Sequence, residues 1–565
     1  MTPRNPSEIT GDRIGRLLLP LVLLLALAIR LPGINWGMPP DGVTHYPSLH
    51  PDEIHVMKAL KQIRPEKLDF NPESAHIEGT LNYYLWATLG GVLWLTGTQQ
   101  GWDGYHRMLL MGRLSTVMID LAAVVLMYLL LLKILGSGAS ALLGAVIFAI
   151  IPFEAMHSVY MRTHTLSNLL ILAVIYASLL LYERNEPRRY LLIGLLVGLS
   201  AANRYIFITT IIIPGCFILY REFFVDRTAR CSIRGFIDCV LNANTMIMLA
   251  GVVLGLFLGD MPLFFRFEEV KPYLMEQFRY SRASSGSIVN ILSLSRLAQY
   301  FRDVIPTGTF LLWIPFYLSF GLVYFIREYR RFIIPITPFF VIYIYLMSKG
   351  YPLITMRTVL PLMPFFTIIT ACVAHAAYRR MQAASRPGAI ALLVATGFIL
   401  GSTALYGFAL TRAMGRTASD PFHQLYDYIT HHAAGSSRML RIGFLADSFW
   451  DSIIVVNVRS VLEKATGGNC TVVTRREDMA TADFVVVYNI GPGIERKITA
   501  DCGFLEARYG FGVHRRFKRE ITLAGQVIDY RDFPHDFHYP FPVLFLMKRD
   551  ARGGAGGGCG HRLTY

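Results

Sequence analysis

The residues best suited to chemistry lie in one run, Tyr46-Pro47-Ser48-Leu49-His50-Pro51-Asp52-Glu53-Ile54-His55. Two carboxylates stand there between two imidazoles. A carboxylate can take, or orient, the proton of an attacking hydroxyl. Pro51 suits the first turn of a helix, and Asp52 and Glu53 would then meet its positive end. Acids at a helix start are routine, but acids are scarce in this chain and these two follow its first apolar run. Neighbouring helical residues diverge by about 100°, so one acid can face a cleft while the other caps or pairs. Asp52 is read as the base. Glu53, His50 and His55 are read as its neighbours, in contact with an acceptor or a divalent metal, and whether a metal is needed stays open.

A second polar stretch, Asp69, Asn71, Glu73, His76 and Glu78, precedes Gly79-Thr80-Leu81-Asn82-Tyr83-Tyr84. Glu78 and Asn82 share a face if a helix starts early enough to hold both. Cations at the ends of apolar runs form a third group: Arg107 and Arg113, Arg162 beside His164, Arg204 after Asn203, and Arg357 opening Arg357-Thr358-Val359-Leu360-Pro361-Leu362-Met363-Pro364. Gathered on one cavity, such residues would hold a phosphate or diphosphate at the lipid headgroup level. Taken singly, each could instead snorkel to anionic lipid. Arg204 and Arg357 stand out because they interrupt apolar surroundings. Asp260, in Gly259-Asp260-Met261-Pro262, reads as a cap.

The elements that would position these residues follow from composition. Of 565 residues, 53% are hydrophobic and 16% charged, against about 25% charged in soluble domains. This excludes soluble, fibrous and disordered classes and leaves an integral membrane protein. The net charge of +15 lies largely in short clusters between apolar runs, where it orients spans and does not bind nucleic acid. Apolar runs suited to crossing are 17–31, 109–132, 138–153, 166–182, 190–203, 205–220, 241–259, 308–326, 332–347, 357–374 and 389–410. Arginine clusters near 4–16, 184–189, 221–234, 327–331 and 379–386 mark the inner loops. Eleven crossings satisfy all of them, with 81–97 lying on or dipping into the outer face. The loops 154–165 and 260–307 then lie outside, as does the tail from 411.

The resulting domains are 1–410, with its spans, the first outer loop 32–108 and the flexible outer loop 260–307; a soluble α/β region 411–548; and a Gly-rich tail 549–565. Strand-like stretches at 439–445, 471–474 and 484–488 with a helix at 451–465 give the α/β reading. Seven cysteines form no C-x-x-C pair, so neither a disulfide scaffold nor a zinc site is indicated. A Cys470–Cys502 bridge requires that the tail face an oxidising compartment. The N-terminal run lacks a cleavage pattern and reads as a retained span. P-loop, dinucleotide-binding and HExxH patterns are lacking.

Several stretches also carry a family resemblance. His50-Pro51-Asp52-Glu53 follows the first span; Asp69-Phe70-Asn71-Pro72 is followed by Leu81-Asn82-Tyr83-Tyr84-Leu85. Gly112-Arg113-Leu114-Ser115 opens a span, Ala202-Asn203-Arg204-Tyr205 closes another, and Arg357 to Pro364 comes later. In order and spacing, over roughly 15–410, these resemble the GT-C superfamily of membrane glycosyltransferases, of the protein mannosyltransferase and aminoarabinose transferase type. The resemblance implies a GT-C-like multi-pass α-helical fold with a small C-terminal α/β extracytoplasmic domain. It implies a polyprenyl-phosphate-sugar donor, a glycan, lipid or protein acceptor, and transfer with inversion on the outer face of a bacterial inner membrane. Asp52 or Glu53 inherits the catalytic acid, and Arg204 stands where members carry a lysine. Members often carry an Asp in the loop matching Tyr160–Thr165, and this chain has none there. Rival readings are a secondary transporter, favoured by the mid-span Asp120, and a flippase-like protein.

Overall fold

The computed structural model describes residues 6–38, 50–64, 67, 69–72, 79–95, 102–225, 242–275, 294–350, 355–416, 420–445, 455, 458–459, 461–464, 466–489, 494–518, 521–523, 526–527 and 543–549. The chain divides into two compact units. The first gathers Met1–Leu31, His55–Val92 and Met111–Phe408, the second Pro32–Ile54, Leu93–Leu110 and Ala409–Tyr565.

Among the described residues, eight helices are long and apolar enough to cross a membrane: Gly15–Gly33, His106–Leu135, His164–Glu183, Tyr205–Phe224, Arg296–Phe325, Arg327–Ser348, Met356–Ala384 and Arg386–Gly415. A ninth crossing results if the pair Gly138–Ala149 and Pro152–Ser158, bent by 60°, counts as one. The chain is a multi-pass α-helical membrane protein with a small sheet near its C-terminus. The runs 190–203 and 241–259 are the helices Pro187–Asn203 and Ala243–Gly259, of 17 residues each. At 1.5 Å per residue each spans about 26 Å, somewhat less than the hydrocarbon core of about 30 Å. The run 81–97 forms the still shorter helix Leu81–Leu95.

Two expected loops differ. The stretch 154–165 is no surface loop, because every residue from 147 to 165 is buried. The first helix stops at Ala149, and Pro152 opens a short second one. Broken backbone at membrane depth persists only where protein surrounds it, and here protein does. The stretch 260–307 is helical at both described ends: a turn at Pro262–Phe265, helix over 267–275, and the beginning of the Arg296–Phe325 span. The Ser284-Ser285-Gly286-Ser287 run between them lies outside the described residues.

Pro187–Asn203 and Ala243–Gly259 pack in parallel along their length. A Cβ on Gly194 would collide with the Met248 carbonyl, one on Gly198 with the Val252 carbonyl and one on Gly255 with the Leu195 carbonyl. At the far end, Gly259 meets Ala202. Small residues four apart on both helices let the backbones touch, as in small-xxx-small membrane pairs. The last helix, Arg386–Gly415, is the opposite case. Only 11% of its apolar window is buried, and Ile390, Leu393, Val394, Phe398 and Leu405 are exposed.

In the second unit the strands are β1 (Leu440–Phe444), β2 (Cys470–Val473), β3 (Phe484–Asn489), β4 (Phe511–Lys518), β5 (Thr522–Leu523), β6 (Gln526–Val527) and β7 (Val543–Arg549). Five make one sheet in the order β2-β1-β3-β7-β4. β1 runs parallel to β2 and β3, and β7 antiparallel to β3 and β4. The central strands are apolar on both faces because both are covered. Phe484, Val486, Leu544 and Leu546 pack with Phe422, Leu425 and Ile429 of helix Pro421–Ala434. Val485, Val487, Phe545 and Met547 pack with Cys502 and Leu505 of helix Ile494–Tyr509. Cys470 belongs to the first core and Cys502 to the second. The two are not bridged to one another, and the sheet between them explains why. Of the helix expected at 451–465, only 455, 458–459 and 461–464 are described, and these are helical. The Gly-rich tail lies outside the described residues beyond Arg549.

Candidate functional site

In the first unit three arginines act on one buried imidazole, His164. Helix Pro187–Asn203 ends at Asn203, and Arg204 takes an extended conformation (φ −154°, ψ 123°) before a 3-10 helix over Tyr205–Ile211. That break throws the Arg204 side chain off the helix axis. Its Nη1 lies 2.8 Å from His164 Nδ1, and its Cζ sits 6.0 Å from the Phe207 ring centre. A guanidinium only donates, so Nδ1 accepts and the His164 ring proton is on Nε2. His164 is buried, and Nε2 has no hydrogen-bond partner among the described residues. Arg204, Arg162 and Arg357 all act electrostatically on this ring. Arg162 is buried and Arg357, in the turn Met356–Thr358, is half-buried. Arg113 is fully buried, and Gly112 beside it packs on the Met161 side chain next to Arg162. Arg204, bonded to this ring, and Arg162 and Arg357, near enough to act on it electrostatically, put three positive charges in the neighbourhood of a buried N–H, which suits an anion.

A polar network holds the break in place. Asn203 Nδ2 donates to the Thr163 carbonyl at 3.1 Å and to Ser167 Oγ at 2.8 Å. Asn82 Nδ2 donates to Asn203 Oδ1. Tyr205 Oη donates to Asp260 Oδ2 at 2.7 Å. Thr80 Oγ1 donates to the Gly259 carbonyl at 2.7 Å. Asp260 follows the glycine-lined helix directly, and burial raises its carboxyl to about 6. Its reading as a cap is incomplete, since the carboxylate is the acceptor for Tyr205.

The 69–71 segment is fixed separately. Asp69 lies 3.1 Å from Arg64 and 3.3 Å from Arg266, and Asn71 donates to Glu269 at 2.7 Å. Partial burial works against the Asp69 carboxylate, but the Asn71 N–H, Arg64 and Arg266 hold it below the usual range.

The acid pair begins helix Pro51–Gln62. His50 caps it: His50 Nδ1 accepts from the Asp52 N–H at 3.2 Å, and its carbonyl accepts from the Glu53 N–H at 3.1 Å. The His50 ring stands edge-on to Trp36, centres 6.0 Å apart. Asp52 is 8% exposed and Glu53 fully buried, unlike a solvated helix start. His55 is half-buried. Glu78 lies outside the described residues. The early helix start that would join it to Asn82 does not occur, because Gly79 takes φ 100°, a left-handed value open to glycine. The helix therefore begins at Leu81. Among the described residues no group of three or more His, Cys, Asp or Glu is placed to hold a metal ion.

The cations Arg204, Arg162 and Arg357, expected either to gather on one cavity or to snorkel singly, all act electrostatically on one imidazole in the first unit. His164, Asn203, Tyr205 and Asp260 carry more of this site than their letters alone suggest. The signal for His164 was present in a histidine sitting two residues after an arginine in an apolar chain.

No family model matches the chain, and no curated protein matches it. Solved structures similar to the chain include two of one protein. One is the crystal structure of ArnT from Cupriavidus metallidurans bound to undecaprenyl phosphate, at 12% identity and TM-score 0.45, covering 96% of this chain and 99% of that one. The other is the same protein in the apo state, at 12% identity and TM-score 0.45, covering 94% and 97%.

Proposed function

We propose that the chain is a GT-C-type glycosyltransferase moving a sugar from a polyprenyl-phosphate donor to an acceptor hydroxyl. The observation that carries this reading is the cluster of Arg204, Arg162 and Arg357 about the buried His164 N–H. Such a set suits a phosphate leaving group, whose charge grows as the glycosidic bond breaks. In this reading the acceptor oxygen attacks the anomeric carbon, the polyprenyl phosphate departs, and Asp52 takes the acceptor proton. Arg204 and Arg357 stabilise the departing phosphate. One displacement inverts the anomeric centre. Glu53 orients Asp52, and the acceptor is a glycan, a lipid or a protein. The carboxylate and C-terminal unit face outward from a bacterial inner membrane.

The carrier alternative leaned on Asp120. That carboxylate forms an ion pair with Arg30 at 2.5 Å, both side chains fully buried, so it is a structural partner and not a vacant ion site. Membranes carrying Asp52→Asn should bind the polyprenyl-phosphate sugar and transfer none, with Glu53→Gln retaining partial transfer. Full transfer by Asp52→Asn would remove the base assignment.

A further inference from the structure

We infer that Asp260, acting through Tyr205, is a positioning residue that fixes the phosphate-gripping orientation of Arg204. The inference rests on the reading of Arg204 as a phosphate anchor. An arginine at a helix break has many rotamers, and ordering it costs rotamer entropy. Something must therefore fix the backbone on both sides of it.

Upstream, Asn203 is held by Thr163, Ser167 and Asn82. Downstream, the first residue after the break is Tyr205, and its hydroxyl is held 2.7 Å from Asp260 Oδ2. Asp260 is fully buried, and its Oδ2 is taken up by the Tyr205 hydroxyl. It is also costly to keep there, since a buried carboxylate loses its hydration. The glycine contacts explain how it arrives. Gly194, Gly198 and Ala202 on one helix lie against Met248, Val252 and Gly259 on the other, so the two helices end side by side at Asn203 and Asp260. Thr80, bonded to the Gly259 carbonyl, ties the same end to the segment bearing Asn82. Arg204 thus leaves a corner clamped on both flanks, and Asp260 is the downstream clamp.

The test is binding of a polyprenyl phosphate to the full-length protein in detergent micelles, followed by calorimetry. Arg204→Ala should weaken binding about tenfold or more, as expected for a lost charge-assisted bond. Tyr205→Phe and Asp260→Ala should each weaken it several-fold in the wild-type background. Asp260→Asn keeps an acceptor oxygen for Tyr205 and should restore most of the affinity. In an Arg204→Ala background, Tyr205→Phe should add nothing, because it acts only through Arg204.

Equal loss from Tyr205→Phe in both backgrounds overturns the inference while leaving Arg204 as an anchor. Undiminished binding by Arg204→Ala overturns the anchor reading itself, and the inference with it. Unfolding midpoints measured in the same micelles guard against misfolded variants. Should Tyr205→Phe not fold, the contrast between Asp260→Ala and Asp260→Asn decides by the same coupling to Arg204→Ala.

Discussion

Arg30 ties three elements of the first unit together from a fully buried position. Its Nε meets Asp120, and its Nη1 donates to the Ala26 and Ala149 carbonyls at 2.9 and 2.8 Å. The second carbonyl is the last residue before the bend that carries Glu154, whose carboxylate accepts from Asn168. Removing one member of a buried pair strands the other, at about 3–5 kcal/mol. Arg30→Met should therefore lower the unfolding midpoint in detergent sharply, and Arg30→Met with Asp120→Leu should recover much of it. A midpoint for Arg30→Met equal to wild type would contradict this. Asp260 gives a pH signature of opposite sense to the usual paired acid. Its folded carboxyl titrates near 6 because burial disfavours the charge, so the native state holds the proton more tightly than the unfolded chain. Stability should thus fall as pH rises from about 4 to about 6, by on the order of 3 kcal/mol. Asp260→Asn should flatten that part of the stability curve; an unchanged slope would show that another group is responsible.

At the scale of elements, the helices Pro187–Asn203 and Ala243–Gly259 are set by glycine spacing. Gly198→Leu places a side chain against the Val252 carbonyl and the Leu256 N–H. Backbone cannot yield as a flexible side chain can, so this substitution should destabilise by about 1–3 kcal/mol or more. It should also weaken polyprenyl phosphate binding by displacing the corner at Arg204. Gly397→Ala is the contrast, since an added Cβ there meets nothing within 4 Å. It should be neutral or stabilising by roughly 0.5–1 kcal/mol, and equal loss from both variants would refute the packing argument. The pairing was legible in the spacing of Gly251, Gly255 and Gly259, yet hydropathy alone reads that run only as apolar. The bend at Ile150 has a single local sign, Pro152, which cannot donate into a continuing helix. The rest of 138–153 is almost all apolar, and that the break is tolerated at this depth depends on the burial of Pro152 and its neighbours.

Across the whole molecule, apolar content and the clustering of arginines were enough to read a multi-pass α-helical protein. Local letters said less about burial: Asp52 and Glu53 look solvated in sequence, and only the packing around the first turn hides them. The convergence of Arg204, Arg162 and Arg357 joins residues far apart in the chain, which no local pattern reports. In the second unit, Cys470 and Cys502 lie in cores on opposite faces of one sheet. Peptide mapping of the unreduced protein should therefore find no Cys470–Cys502 crosslink, and finding one would mean that this bridge exists. The last helix has a different consequence. Arg386–Gly415 has 30 residues, about 45 Å of helix at 1.5 Å per residue, against a hydrocarbon core of about 30 Å. With most of its apolar circumference turned outward and arginines at both ends, it has few protein neighbours to fix its inclination. Bilayer thickness is left to set its tilt, so the lipid composition of the host membrane becomes one of the forces that decide how this helix lies.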